Sequence, residues 1–312
     1  MPEIKQAKKE NIKNAKLKNF PFNGIYTALA TPFLKDDENR IDFSVLEKIL
    51  KKQKEAGISG IVLFGSTGEH FSLSETEKKD LFFTVKEICG NGMPLICCAG
   101  NPSTKQTLRD ALLYKSYGAT GLLLLTPFYY KCADNGAIAH FSVITQAAKL
   151  PALVYNVPSR TGYDLYKKPN VLKALSSLDY VAGIKEAESD ELIMTDFIKH
   201  SPLPVLSGSD ENNLAAYRAG AKGSVSVASN LFPEKIIEIY DLFFKGDETL
   251  ASKKENFLKP IYKMLTLEGN PVPLKYALKK IYDCGDGLRL PLTALNEKNK
   301  KYADKVLKNF LK

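Results

Sequence analysis

The sequence predicts an α/β protein: a (β/α)8 TIM barrel followed by a C-terminal helical subdomain. Three observations carry this. Short apolar runs alternate with amphipathic segments eight times within about 225 residues, the pattern of consecutive βα units. The runs are apolar on both faces, as parallel strands covered on both sides are. No GxGxxG or GxxxxGKS/T run is present, so the doubly wound alternative lacks the phosphate loop that often accompanies it.

In chain order, residues 1–20 read as a polar, lysine-rich arm, partly helical or disordered. Strands are expected over residues 25–31, 60–64, 94–99, 121–126, 152–157, 181–185, 205–207 and 224–227. Helices are expected over 44–55, 74–89, 104–117, 135–148, 170–177, 189–199, 211–219 and 233–245. Ser44 with Glu47 and Ser74 with Glu77 have capping-box spacing, and Gly57, Gly90, Gly118 and Gly220 stand where helices should stop. Beyond residue 246 the strand pattern ends. Residues 251–267, 273–282 and 293–311 read as helices, broken at Gly269-Asn270-Pro271 and Gly285-Asp286-Gly287. The expected organisation is an arm over 1–20, a barrel over 21–245 and a helical subdomain over 246–312.

Composition narrows the function classes. Hydrophobic content of 44% and charged content of 25% are ordinary globular values. The longest apolar runs are far too short to span a bilayer, and the polar N-terminus has no secretory apolar core. The 5 cysteines form no CxxC pair, which suits reduced thiols in a cytoplasm better than a disulfide frame or a zinc site. The net charge of +9 invites a nucleic-acid reading, but the excess is nearly all lysine and much of it lies at the two ends. No arginine-rich helix or aromatic platform accompanies it, so a solvated surface accounts for it better. A membrane or nucleic-acid partner is therefore not expected; a positive field can still draw in small anions.

The residues just past each barrel strand converge on one mouth. Strand 2 is followed by Gly65-Ser66-Thr67-Gly68-Glu69, and strand 4 by Thr126-Pro127-Phe128-Tyr129-Tyr130. Strand 5 runs into Tyr155-Asn156-Val157-Pro158-Ser159-Arg160-Thr161-Gly162, and strand 7 into Gly208-Ser209-Asp210-Glu211. Strand 6 is Val181-Ala182-Gly183-Ile184-Lys185, an apolar run ending in a lysine. Alone, such a lysine can simply snorkel to solvent. Burial, however, favours the neutral, nucleophilic amine that Schiff-base chemistry needs. The 3 histidines, His70, His140 and His200, have no metal-ligand spacing, and His70 reads as a solvated loop residue.

This set suits imine chemistry on a 2-oxo acid. Lys185 would attack the ketone, a tyrosine hydroxyl would shuttle protons, and the hydroxyls and turn amides of the Gly65 loop would grip a carboxylate. Arg160 offers a planar fork for a second carboxylate. Each residue also has a plainer reading: Tyr155 as a core tyrosine, the Gly65 loop as an ordinary turn, Arg160 as a surface ion pair. Their joint occurrence at one barrel end favours catalysis over a silent barrel that only binds a 2-oxo acid.

From about Phe22 to Pro291 the chain resembles the dihydrodipicolinate synthase / N-acetylneuraminate lyase family. The resemblance rests on the Gly65, Tyr155 and Gly183-Ile184-Lys185-Glu186 motifs, supported by Asn270-Pro271-Val272-Pro273-Leu274-Lys275 and Leu288-Arg289-Leu290-Pro291. It implies a cofactor-independent, metal-independent pyruvate aldolase or synthase, a homotetramer in most members. Lys185 would form the pyruvate imine, and Tyr155 would be the central proton carrier. Ser66 and Tyr129 would complete its hydroxyl relay, Tyr129 across a dimer interface. Thr67 would hold the pyruvate carboxylate, the Val225 carbonyl would lie near the lysine, and Gly208 and Asp210 would contact substrate. An arginine at position 160 marks the synthases, implying condensation of pyruvate with L-aspartate 4-semialdehyde to 4-hydroxy-tetrahydrodipicolinate, in lysine and diaminopimelate biosynthesis.

Some residues depart from that pattern. Ser66 replaces the usual threonine of synthases, and Asp210-Glu211 resembles the acidic pair that lyases direct at sugar hydroxyls. A pyruvate-dependent aldolase acting on N-acetylneuraminate or a 2-keto-3-deoxy sugar acid therefore stays open. The family's lysine-binding allosteric pocket looks degraded, with Lys78, Pro102, Gln106 and Phe128 where histidine, asparagine, glutamate and tyrosine are usual. Without the acidic partner for an ammonium group, feedback by lysine is expected to be weak or absent.

Overall fold

The structure, a computed structural model, describes residues 22–36 and 38–311; the arm expected over residues 1–20 lies outside the described residues. Eight parallel strands hydrogen-bond in chain order into a closed barrel. They are β1 (Gly24–Ala28), β2 (Gly60–Leu63), β3 (Leu95–Ala99), β4 (Gly121–Leu125), β5 (Ala152–Asn156), β6 (Val181–Glu186), β7 (Val205–Ser207) and β8 (Gly223–Ser226). Each strand lies where the apolar runs place it. Every strand residue but Leu125 is buried, which is why these segments read as apolar on both faces.

The chain divides into two compact units. One, over Leu95–Ser224, contains β3 to β7 and their helices. Within it the β5–β6 register shifts near Ala152: Ala152 faces Val181, but Leu153 faces Gly183. Beyond the shift, Tyr155 faces Lys185 and Asn156 faces Glu186. Gly183 has no room for a side chain, since a Cβ there would lie 2.8 Å from the Pro204 carbonyl oxygen.

The other unit joins Gly24–Pro94 to the chain from Val225 onward. It contains β1, β2, the helices Phe43–Ala56, Glu75–Cys89 and Pro233–Phe244, and the C-terminal helices Glu248–Leu265, Val272–Tyr282 and Glu297–Phe310. Among the described residues no helix is long and apolar enough to cross a membrane. All five thiols are free.

Local signals were mostly obeyed, with departures at several helix starts. Ser74 and Glu77 form a complete capping box, and Gly57, Gly118 and Gly220 end their helices in left-handed conformations. Ser44 caps nothing: Asp42 is the N-cap, accepting from the Val45 N–H at 2.9 Å, so the helix starts earlier. Asp190 caps the helix Glu191–His200 by accepting from the N–H groups of Leu192 and Ile193, which starts it two residues later than expected. A 3-10 turn over Asp210–Asn212 precedes the helix Asn213–Ala219. The last helix begins at Glu297, because the Asn296 side chain accepts from the Asn299 N–H while Glu268 accepts from Asn296 and Asn299.

Candidate active site

Lys185 occupies β6 one residue before its end, 6% exposed, and Tyr155 occupies the facing position of β5, 7% exposed. The amine lies 4.1 Å from the centroid of the tyrosine ring, a cation–π distance. A loose lysine would have extended to solvent; this one is held within the barrel wall. Gly208, just past β7, explains part of the hold. A Cβ on it would sit 2.9 Å from Lys185 Cε and 2.8 Å from Ala187 Cβ, so the bare backbone packs directly on the lysine stem. Cys98 of β3 is buried and electrostatically coupled to the amine; burial pushes its thiol up to about 12, so it is a neutral neighbour.

Successive strand residues face opposite ways. If Tyr155 and Lys185 share one face, Asn156 and Glu186 share the other. The Asn156 amide donates to Glu186 Oε2 at 2.8 Å, and the Glu188 N–H donates to Glu186 Oε1 at 2.8 Å. Burial raises the Glu186 carboxyl to about 7, against the lowering effect of these two bonds. The Leu165 N–H donates to Asn156 Oδ1 at 3.1 Å, pinning the far end of the segment that carries Arg160. Within that segment Thr126 donates to the Thr161 hydroxyl at 3.0 Å, and Gly162 turns the chain at φ 69°. Arg160 lies in the short helix Pro158–Thr161 and is exposed.

Two further predicted residues of this unit are more open to solvent than the buried pair. Tyr129 is 85% exposed and holds φ 69°, a left-handed conformation unusual for a bulky residue and a mark of functional positions. Asp210 opens the 3-10 turn and is half-buried.

In the second unit, Ser66–Gly68 forms a 3-10 turn directly after β2, with Ser66 half-buried and Thr67 4% exposed. Gly68 is pressed against the chain after β1: Thr31 donates to its carbonyl at 2.9 Å, and a Cβ would meet the Leu29 carbonyl oxygen at 3.1 Å. Val225 is buried in β8. His70 is a correction. It is 6% exposed, not solvated, opening the 3-10 turn His70–Ser72 with its ring centroid 3.8 Å from that of Phe71; burial and nearby Lys78 lower its pKa to about 4, so it is neutral at physiological pH.

Sequence reasoning passed over Asn156 and Glu186 as participants, and gave no role to Lys275 and Arg289. The available signal was chemical: Lys275 is a charge inside an otherwise apolar run and Glu186 closes an apolar strand, and such charges are buried only when partnered.

The geometry agrees with known proteins. Residues 21–310 match the model of the dihydrodipicolinate synthetase family. A protein of Methanocaldococcus jannaschii named 4-hydroxy-tetrahydrodipicolinate synthase is 34% identical over 289 residues, 92% of this chain and 98% of its own. One of the same name from Rickettsia bellii is 35% identical over 288 residues, 92% of this chain and 96% of its own. The crystal structure of dihydrodipicolinate synthase from Thermotoga maritima superposes with a TM-score of 0.87 at 32% identity, covering 93% of this chain and 98% of that one. With the closed barrel and the lysine–tyrosine pair already in place, these likenesses assign the chain to the dihydrodipicolinate synthetase family.

Proposed function

We propose that this chain condenses pyruvate with L-aspartate 4-semialdehyde to give 4-hydroxy-tetrahydrodipicolinate, the step that commits carbon to diaminopimelate and lysine. The observation that carries the reading is the buried Lys185 amine 4.1 Å from the Tyr155 ring centroid, on adjacent strands in register. Lys185 attacks C2 of pyruvate, and water leaves as the imine forms. Loss of a C3 proton gives the enamine, whose C3 bonds to the aldehyde carbon. The amino group of the semialdehyde then attacks C2, closes the ring and displaces the Lys185 amine.

In this proposal Tyr155 carries protons between these steps, with the hydroxyls of Ser66 and Tyr129 as its relay. Thr67 and its turn amides hold the pyruvate carboxylate, and Arg160 receives the carboxylate of the semialdehyde. Gly208, Asp210 and the Val225 carbonyl line the substrate. Tyr129, exposed and in a left-handed conformation, is a residue a neighbouring subunit would employ, in keeping with a homotetramer built from dimers. The proposed location is the cytoplasm. The barrel over 21–245 does the chemistry, and residues 246–312 form the helical subdomain.

The test holds pyruvate constant and compares aspartate semialdehyde with N-acetylmannosamine and glyceraldehyde. A far higher kcat/KM with the semialdehyde is expected. Turnover only with the sugar aldehydes would move the chain to the aldolase branch, for which Asp210, Glu211 and Ser66 speak. Borohydride with pyruvate should leave a covalent adduct on Lys185 that the Lys185→Ala variant lacks; no adduct in the native chain would mean a silent binding barrel.

A further inference from the structure

The C-terminal runs that helped to place the chain in its family contribute nothing to the chemistry described so far, yet both reach the loop after β2. Asn270 precedes the helix Val272–Tyr282, and its amide donates to the Thr67 hydroxyl oxygen at 2.9 Å. An amide N–H can only donate. Thr67 Oγ1 therefore accepts from Asn270 and keeps its own proton for another acceptor, the polarity a carboxylate ligand requires.

Lys275 lies one turn further along. Its side chain is 1% exposed, and its amine stands 3.1 Å from Oε1 of Glu69, close enough for an ion pair though off the line of a hydrogen bond. The amine also donates to the Thr31 carbonyl and lies 3.5 Å from the centroid of the Phe33 ring. Glu69 ends the Gly65 turn in a left-handed conformation, φ 54° and ψ 35°, which an L-residue adopts at a cost. Its other oxygen accepts from the Arg289 N–H at 3.2 Å. The Arg289 guanidinium in turn donates to the carbonyls of Ser72 at 2.8 Å and Asn39 at 2.9 Å, and to Glu77. Glu69 is thus held at both oxygens by chain from beyond residue 270. Buried ion pairs are poor sources of stability, because desolvation offsets their attraction. This one sits at the end of a strained turn that carries Thr67.

We propose that Asn270, Lys275 and Arg289 are positioning residues for the Gly65–Glu69 turn: Asn270 aims the Thr67 proton at the substrate carboxylate, and Lys275 with Arg289 clamps Glu69 to keep the turn in its binding conformation. This rests on the reading of Thr67 as the holder of the 2-oxo acid carboxylate. The C-terminal helices then govern affinity for the first substrate, not the imine chemistry.

The test is borohydride trapping on Lys185 of the full chain across a pyruvate series, read by intact mass. In Asn270→Ala the half-saturating pyruvate concentration should rise about tenfold, with the plateau of adduct and the KM for the aldehyde unchanged. Asn270→Asp, nearly isosteric but unable to donate, should do no better than alanine; a packing role would tolerate it. Since Lys275→Met alone strands a buried carboxylate, the clamp is read in the double variant Lys275→Met with Glu69→Gln, which should fold and also require more pyruvate. Native pyruvate dependence in Asn270→Asp would overturn the role of the amide, and in the double variant that of the clamp. Absence of any adduct in the native chain would instead overturn the functional reading, and the proposal with it.

Discussion

Gly208 shows how closely the reactive amine is confined. A methyl group there would stand 2.9 Å from Lys185 Cε and 3.0 Å from the Glu186 carbonyl oxygen, and backbone cannot yield as a side-chain tip can. Gly208→Ala should therefore displace the amine and lower kcat for pyruvate condensation by about a hundredfold, the scale of a misplacement near 1 Å; a rate equal to the native one would show that the lysine has freedom to spare. Arg160 is the opposite case, an exposed cation on a pinned segment. Truncating one partner of a buried charge pair costs about 2–5 kcal/mol, and exposure places Arg160 near the lower figure. Arg160→Leu should thus reduce kcat/KM for aspartate semialdehyde by about thirtyfold while leaving borohydride trapping of pyruvate intact. Equal use of the semialdehyde by the variant would remove the case for a carboxylate-bearing aldehyde.

At the scale of elements, side-chain caps and one register shift set the geometry. The helix Glu75–Cys89 starts at Ser74, whose hydroxyl accepts from the Glu77 N–H at 3.2 Å while Glu77 accepts from the Ser74 N–H at 2.8 Å. Glu77 also receives the Arg289 guanidinium, which, as the largest cause, helps to hold its carboxyl down to about 2. Ser74→Ala should lower stability by about 1 kcal/mol in chemical denaturation, and an unchanged midpoint would mean that Arg289 alone secures this helix end. In β5 and β6 the shift beside Gly183 sets the phase in which Tyr155 meets Lys185. A further slip of one residue by either strand would turn its side chain to the other face and part the pair.

The whole molecule carries a buried carboxyl that links stability to pH. Glu186 has a folded pKa of about 7 against an ordinary 4.5, so the folded state binds the proton more tightly. Its contribution to stability is complete below the unfolded value and is lost as pH rises to and through the folded one. The loss is on the order of 3 kcal/mol at about 1.36 kcal/mol per unit. Native stability should fall between about pH 5 and about pH 8 relative to Glu186→Gln, whose side chain does not titrate. Parallel denaturation curves for the two proteins would place the titration elsewhere. Regulation is also a property of the whole. The family resemblance would put Gln106 at the position of the acidic partner for a lysine ammonium, and its amide donates to Asp110 at 3.1 Å. Lysine at physiological concentration should inhibit the steady-state rate weakly or not at all; half-inhibition in that range would refute this.

Much of the fold is written in local pattern. Eight doubly apolar runs declared the barrel, and glycines with the right spacing declared the helix ends, because burial and left-handed turns are demands met residue by residue. Lys185 and Tyr155 were legible for the same reason: a lysine closing a buried strand and a tyrosine at the equivalent place in the strand before it. Local pattern is less decisive where two residues compete for one role. Asp42 and Ser44 both have side chains suited to an N-cap, and the aspartate takes it by accepting the Val45 N–H. Spacing is silent altogether on contacts between residues far apart in the chain. Nothing in the sequence links Thr67 to Asn270, Glu69 to Lys275, or Asn156 to Glu186. Those pairings were decided only by the tertiary structure. Packing the C-terminal helices brings together side chains more than 200 residues apart, as Thr67 and Asn270 are, and a buried polar group must then find its partner wherever the fold supplies one.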